Sequence, residues 1–298
     1  MGRKFSQMVS SALGSTALVL SLLSLSSCTL VQMGFSWERS SVDGSRTGVK
    51  PSGADDVAQK MGTYKDGVYT APNGRTFSEG VTPEVARILL EAQPIMADLK
   101  TVIATCPEGM PREYPECALG DWYIDFLMEF TAKKVGRRVD FGLANFGGIR
   151  VDMPKGDVLK DDIYSMFPFR NKIVYLELAG KDIRAVLDQL AATSWQVVGG
   201  GRFVVRDGKL ESAEIGGEPL DDNKVYGVAT ISFLLAGGDD IFMARNARKQ
   251  IILDEYILDA VYPHVLELTK EGKNIEYKTD GRIKILRSDG SELSAVRM

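Results

Sequence analysis

The sequence predicts an α+β or layered α/β domain, on three observations. Strand-like and helical patterns mix along the chain without regular βαβ alternation. Asp207-Gly208 stands between two strand-like runs, a strong hairpin signal that implies antiparallel pairing. Apolar residues make up 44% and charged residues 26% of the 298 residues, which excludes a disordered or fibrous chain.

The amino terminus reads as an address. Arg3 and Lys4 precede an uncharged apolar run, Ala12 to Leu25, that fits a signal-peptide core and is short for a membrane span. It ends in Leu25-Ser26-Ser27-Cys28, where a small residue before a cysteine resembles the bacterial lipobox. Residues 1–27 are thus expected to be a lipoprotein signal peptide, with Cys28 the lipidated first residue of the mature chain. The expected location is the bacterial cell envelope, lipid-anchored at the outer membrane. No later stretch is long and apolar enough to span a bilayer. Residues 28–62, with Ser40–Ser45 and Pro51–Asp56, read as a flexible tether. Residues 63–97 form a lead-in. In it a helix is expected from Thr82 as N-cap and Pro83 in the first turn, with Val85, Ile88, Leu89 and Ala92 on one face.

The remaining elements follow in order. Thr101–Thr105 reads as a strand. Leu119, Trp122, Tyr123, Phe126, Leu127 and Phe130 keep helical spacing up to Gly136, a stripe that fits core packing better than a cofactor site. Strands are expected at Val139–Ala144 and Ile173–Leu178, and a helix carrying Ile183, Val186, Leu187 and Leu190 just after Gly180. Arg202–Arg206 and Leu210–Ile215 flank the hairpin turn. A strand at Val225–Thr230, a helix over Glu255–Leu268 and a strand at Arg282–Leu286 complete the pattern. Export would place Cys106 and Cys117 in an oxidising compartment, where a disulfide closing their loop would stabilise by about 3 kcal/mol. Two buried thiols are the alternative.

Several chemistries are excluded early. The formal charge is −4, which argues against nucleic acid as a partner. A single histidine, His264, leaves little for a dinuclear metal site or a Ser/His/Asp arrangement. Gly199-Gly200-Gly201 lacks the Lys-Ser/Thr of a phosphate-cradling loop, and no Gly-x-Ser-x-Gly elbow is present. Carboxylates are plentiful, but no pair stands out by spacing.

Three clusters place specificity-type residues among turn-forming glycines. In Asn145-Phe146-Gly147-Gly148-Ile149-Arg150 the glycines admit close backbone approach, Asn145 offers a donor and an acceptor, and Arg150 presents a fork suited to phosphate or carboxylate. Phe167-Pro168-Phe169-Arg170-Asn171 puts an aromatic pair at a turn. Ser232-Phe233-Leu234-Leu235-Ala236-Gly237-Gly238-Asp239-Asp240 sets an aromatic before a Gly-Gly-Asp turn. Singly, each fits a structural turn at least as well.

In this order and spacing the chain resembles the C-terminal, substrate-recognition domain of the 5'-nucleotidase / UDP-sugar hydrolase family. The resemblance runs from about Asp98 to Ile285. It also includes Pro115-Glu116 to Asp125, Leu178-Ala179-Gly180-Lys181 and Asp280-Gly281-Arg282-Ile283. It implies a layered α/β/β/α sandwich with mixed sheets over residues 98–287, followed by a tail at 288–298. It further implies that Phe169 and Phe233 hold the base between them, each contributing about 1–3 kcal/mol. Asn145 would bond the base, Arg150 the phosphate, and Asp239, beside Gly238, the ribose hydroxyls. Gly147 and Gly148 belong to the same site, and Arg112 is the nearest candidate for a second family arginine.

The departure from the family is as informative. Full-length members carry an N-terminal metallophosphatase domain rich in histidine, and none is expected in the short stretch between the expected signal peptide and Asp98. Three readings follow. The favoured one is the nucleotide-recognition half of a split 5'-nucleotidase, acting with a separately encoded metallophosphatase that carries the divalent metals, with no catalytic residue, metal or cofactor on this chain. The second is a non-catalytic envelope lipoprotein that binds nucleosides or nucleotides. The third is a self-sufficient hydrolase with a carboxylate metal site, which nothing in the sequence supports.

Overall fold

The computed structural model describes residues 47–298 apart from Pro51 and Ala54. The expected signal peptide, Cys28 and residues 28–46 of the expected tether lie outside the described residues.

From residue 47 the tether reading gives way to structure. The Lys50 amide donates to the Lys60 carbonyl at 2.9 Å, closing the chain over helix α1 (Val57–Met61). Strands β1 (Thr63–Lys65), β2 (Val68–Thr70) and β3 (Thr76–Phe77) form a small antiparallel sheet. Tyr69 holds it to the helix: its hydroxyl donates to the Met61 carbonyl at 2.7 Å and its ring stacks 5.9 Å from Phe77. Helix α2 (Val81–Ala92) starts earlier than the Thr82 cap predicts, because Gly80 at φ 74° turns the chain at the N-cap position. Val85, Ile88 and Leu89 share a face as their spacing predicts, but among the described residues that face stays about half exposed.

The larger body begins with β4 (Val102–Cys106) and the short β5 (Glu113–Tyr114), followed by helix α3 (Ala118–Val135). The aromatic stripe does what its spacing predicts: Leu119, Trp122, Tyr123 and Leu127 are buried, and Gly136 ends the helix in the left-handed conformation. Next come β6 (Phe141–Ala144), β7 (Gly156–Leu159), the unexpected helix α4 (Lys160–Met166), β8 (Lys172–Ala179) and helix α5 (Gly180–Ala192). β4 pairs with β7. The hairpin side consists of β9 (Val197–Gly199), β10 (Gly201–Arg206), β11 (Lys209–Ile215) and β12 (Glu218–Pro219). Asp207 and Gly208 both have positive φ, 48° and 73°, the two-residue turn their sequence predicts.

β13 (Val225–Ile231) and β14 (Lys249–Tyr256) complete a five-stranded sheet in the order β14-β8-β13-β6-β9, with β13 and β6 parallel and the other pairs antiparallel. A second mixed sheet runs β12-β11-β10-β15, where β15 is Ile283–Leu286 and lies parallel to β10. The fold is therefore α+β with mixed sheets, as the sequence predicts. Helix α3 packs across β9, β6 and β13, and α5 packs against β8 and β11. Phe203 of β10 joins the layers, edge-on to Phe141 at 5.9 Å and 5.7 Å from Trp195, with all three rings buried. Burying a ring of this size stabilises by about 1.5–3 kcal/mol.

Three expectations need correction. The helix expected from Glu255 begins at Ile257 as α6 (Ile257–Lys270), because Lys249–Tyr256 pairs with β8 as an edge strand. The expected tail carries β16 (Val296–Arg297), which pairs with β5. Cys106 and Cys117 are free, buried thiols rather than a disulfide. Each sulfur is held by local backbone instead: Cys117 caps α3, its Sγ accepting from the Gly120 amide at 3.3 Å, and Cys106 is bonded by the turn at Glu108 and Gly109. Burial raises both thiols above their ordinary range. His264, on α6, is stacked 4.5 Å from Phe126 of α3, and burial lowers its pKa. No helix among the described residues is long and apolar enough to cross a membrane.

Candidate functional site

The site is built where β6 and β13 end. β6 runs fully buried through Ala144, so Asn145 leaves the sheet with its side chain largely enclosed, 6% exposed. A single turn over Phe146–Gly148 then reverses the chain, and the Gln196 side chain fixes it by accepting from the Phe146 amide at 2.9 Å. β13 ends at Ile231, and a 3-10 turn over Ser232–Leu234 follows. Ser232 ties that turn to β8 by accepting from the Lys172 amide at 3.0 Å, while Leu234 enters the core. Phe233, between them, is left 40% exposed.

The Pro168 turn separates two phenylalanines in the same manner. Phe167 is buried against Tyr123, their ring centroids 4.9 Å apart. Phe169, two residues on, is 45% exposed. Rings of this size left half in water by anchored turns are surfaces available to a ligand.

Asn145, Gly147, Gly148, Arg150, Phe169, Asn171, Phe233 and Asp239 line one cavity of about 280 Å³. The Asn145 Nδ2 donates to Asp239 Oδ2 at 2.9 Å, while its Oδ1 is buried with no hydrogen-bond partner. A buried amide oxygen without a donor costs about 1–3 kcal/mol, so it marks an acceptor held for something else. Gly148 keeps that oxygen clear, since a Cβ there would lie 2.9 Å from it. Asp239 has left-handed backbone, φ 52°, which costs of order 1 kcal/mol for a side-chain-bearing residue. The turn is held by the Asp240 carbonyl, which accepts from Gln189 Nε2 at 2.8 Å. The Arg150 guanidinium lies 5.7 Å over the Phe169 ring and donates to the Gly147 carbonyl at 3.2 Å, leaving most of its donors toward solvent.

Two predicted site residues lie off this wall. Gly238 is behind it: a Cβ there would meet the Phe233 ring at 2.5 Å, so its role is to let that ring lie against the backbone. Arg112 is turned away. Its amide and Nε donate to Asp152 Oδ1 at 3.0 and 3.2 Å, and its Nη1 to the Ile149 carbonyl at 3.2 Å. It braces the segment after Arg150 instead of facing the cavity. Asn171 is on the wall, and its position in the Phe167–Asn171 turn was the signal that could have placed it there.

The cavity offers one carboxylate, already bonded to an amide, and no imidazole or thiol. That donor set does not fit a two-metal phosphatase centre.

Residues 100–246 match the family model described as the 5'-nucleotidase, C-terminal domain. Protein UshA of Escherichia coli (strain K12) is 36% identical over 108 residues, covering 34% of this chain and 19% of UshA. The trifunctional nucleotide phosphoesterase protein YfkN of Bacillus subtilis (strain 168) is 28% identical over 187 residues, covering 57% of this chain and 12% of YfkN. The solved 5'-nucleotidase precursor from Thermus thermophilus superposes with a TM-score of 0.59 at 25% identity, over 72% of this chain and 45% of that one. The match thus spans about a fifth of the UshA proteins' length. Together these matches support the family for residues 100–246.

Proposed function

We propose, from the match of residues 100–246 to the 5'-nucleotidase C-terminal domain, that this chain is the nucleotide-recognition component of a 5'-nucleotidase-type phosphohydrolase. A separately encoded metallophosphatase supplies the divalent metals and the hydrolytic step. The chain itself, lipidated at Cys28 at the bacterial cell envelope, holds the substrate.

The observation that carries the reading is the half-exposed pair Phe169 and Phe233 on one cavity with the buried, partnerless Asn145 Oδ1. A nucleobase between the two rings gains about 1–3 kcal/mol per face from stacking, with little demand for a particular base. Asn145 Oδ1 accepts an N–H from the base edge, which relieves its unmet bond. Asp239, whose Oδ2 is taken by Asn145, offers Oδ1 to a ribose hydroxyl. Arg150 faces the phosphate with charge-assisted hydrogen bonds. Every one of these groups binds or orients, and none moves a proton.

Calorimetry with AMP tests recognition. The parent chain binds, and Phe169→Ala and Phe233→Ala each weaken binding by about 1–3 kcal/mol. A parent chain that takes up no AMP overturns the reading. A second arm adds the metallophosphatase: if the pair hydrolyses AMP no faster than the phosphatase alone, the chain binds nucleotide without serving that enzyme.

A further inference from the structure

Two stretches that carry the sequence resemblance, Glu116 to Asp125 and Asp280 to Ile283, take no part in the Phe169–Phe233 cavity. They meet at the first turns of α3, about one buried guanidinium. Arg282 is 5% exposed. Its Nε donates to Asp280 Oδ1 at 3.0 Å. Its Nη1 donates to Asp125 Oδ1 at 2.9 Å and to the Val198 carbonyl at 3.4 Å. Its Nη2 donates to Asp125 Oδ2 at 2.9 Å and Asp280 Oδ2 at 3.2 Å. A guanidinium has five N–H bonds, and all five are engaged.

Glu116 is satisfied as well. Its Oε1 accepts from the Asp280 and Gly281 amides at 3.1 and 2.9 Å, and its Oε2 from the Ile283 amide at 3.0 Å. Asp121 is left over. Its side chain is 3% exposed, its Oδ1 lies 3.6 Å from Arg282 Nε, and its Oδ2 is buried with no hydrogen-bond partner. One oxygen each from Glu116, Asp121 and Asp280 fall within 4.8 Å of one another. Burial raises the Asp121 carboxyl to about 8, with Arg282 pulling it down and Glu116 adding to the rise. Three carboxylates thus converge on one point, and the most deeply buried of them has an oxygen that no donor reaches.

We propose that Glu116, Asp121 and Asp280 form a binding site for a single Ca²⁺ ion, distinct from the nucleotide cavity. The donor set is all oxygen and anionic, which selects a hard cation, and Ca²⁺ accepts carboxylates in flexible arrangements where Mg²⁺ demands a near-ideal octahedron. An ion here gives Asp121 Oδ2 its missing partner and displaces any proton it holds. Glu116 and Asp280 contribute lone pairs that their N–H bonds leave free. The half-exposed Asp280 lines, with Arg282, an open cavity of about 590 Å³ that gives the ion a route in. Once bound, the ion ties the start of α3 to the 280–283 turn.

The test is calorimetric titration of the chelator-treated full chain with CaCl₂, read beside its thermal midpoint. The expected result is one site per chain and a midpoint that rises with Ca²⁺. Asp121→Asn should weaken binding at least about tenfold, about 1.4 kcal/mol. Asp280→Asn changes a half-exposed side chain and should give a similar loss with an unaltered circular dichroism spectrum, so misfolding cannot account for it. No heat and no midpoint shift at millimolar Ca²⁺ overturns the proposal and leaves Asp121 as a carboxylic acid sharing its proton with Glu116. Unchanged affinity in both variants, or tighter binding of Mg²⁺, also overturns it.

Discussion

The Phe169–Phe233 cavity and the Arg282 cluster belong to one domain and, Asp121 Oδ2 apart, treat their polar groups in opposite ways. Around Arg282, every guanidinium N–H finds an acceptor and Glu116 takes three backbone amides, so the group acts as a clasp between α3 and β15. Around the cavity, the bonds that hold the turns come from residues behind them, Ser232, Gln189 and Gln196. The side chains in front are left partly unsatisfied: a bare amide oxygen, two half-wet rings and a left-handed aspartate. In this domain, groups that bond to neighbouring elements keep it folded, and groups freed from that duty are the ones offered outward.

The contrast can be broken by mutation. The largest effect is expected for Arg282→Met, which leaves Asp125 and Asp280 without their shared partner. Removing one side of a buried ion pair costs about 3–5 kcal/mol, and the partial exposure of both carboxylates places the loss near the lower figure. Urea unfolding should show it, while the folded variant keeps the parent's AMP affinity. An unfolding free energy within about 1 kcal/mol of the parent would mean that the clasp is not structural.

Gly148→Ala should do the reverse. Its Cβ crowds Asn145 Oδ1, so AMP affinity falls about tenfold, and stability stays within about 0.5 kcal/mol because the Asn145 side chain is all that the Cβ meets within 4 Å. A stability loss without an affinity loss would contradict the division. The smallest effect belongs to His264, which is in neither region. Burial holds its folded pKa below the ordinary 6.5. The unfolded chain therefore takes up the proton first, so stability is full above about pH 6.5 and declines as pH falls toward the lowered value. His264→Phe should lose stability less steeply over that interval in acid unfolding, and identical slopes would refute it.

Much of the cavity was legible because its residues are local. Asn145 to Arg150, Phe169 to Asn171 and Phe233 to Asp239 are short runs whose glycines and aromatics announce turns. Arg112 was misplaced because a long side chain can face either way, and a salt bridge to Asp152 decided it. The hairpin at Asp207-Gly208 and the α3 stripe followed directly from turn chemistry and period. β14 did not: its burial alternates, but Lys249 and Glu255 take half-buried positions and Ile252 an exposed one, so polar and apolar residues do not alternate in the sequence. Strands β1–β3, with two or three residues each, are too short to carry a pattern. The Arg282 cluster was hidden for a different reason. Glu116 and Asp280 are more than 160 residues apart, and carboxylates carry no spacing signal until the fold brings them together.

The strand at Val296–Arg297 bears on how the chain can be handled on a sensor surface. Met298 donates its amide to the Arg112 carbonyl at 3.1 Å, and Arg297 Nη2 reaches Asp152 Oδ2 at 2.5 Å, on the carboxylate that Arg112 also uses. A fluorophore or immobilising linker joined at Met298 therefore pulls on the brace behind Arg150, and its readout mixes tension with ligand. Attachment ahead of residue 47 loads the segment bonded to Asn73, Lys60 and Lys100, none of which lines the Phe169–Phe233 cavity, and leaves that cavity to report on binding alone.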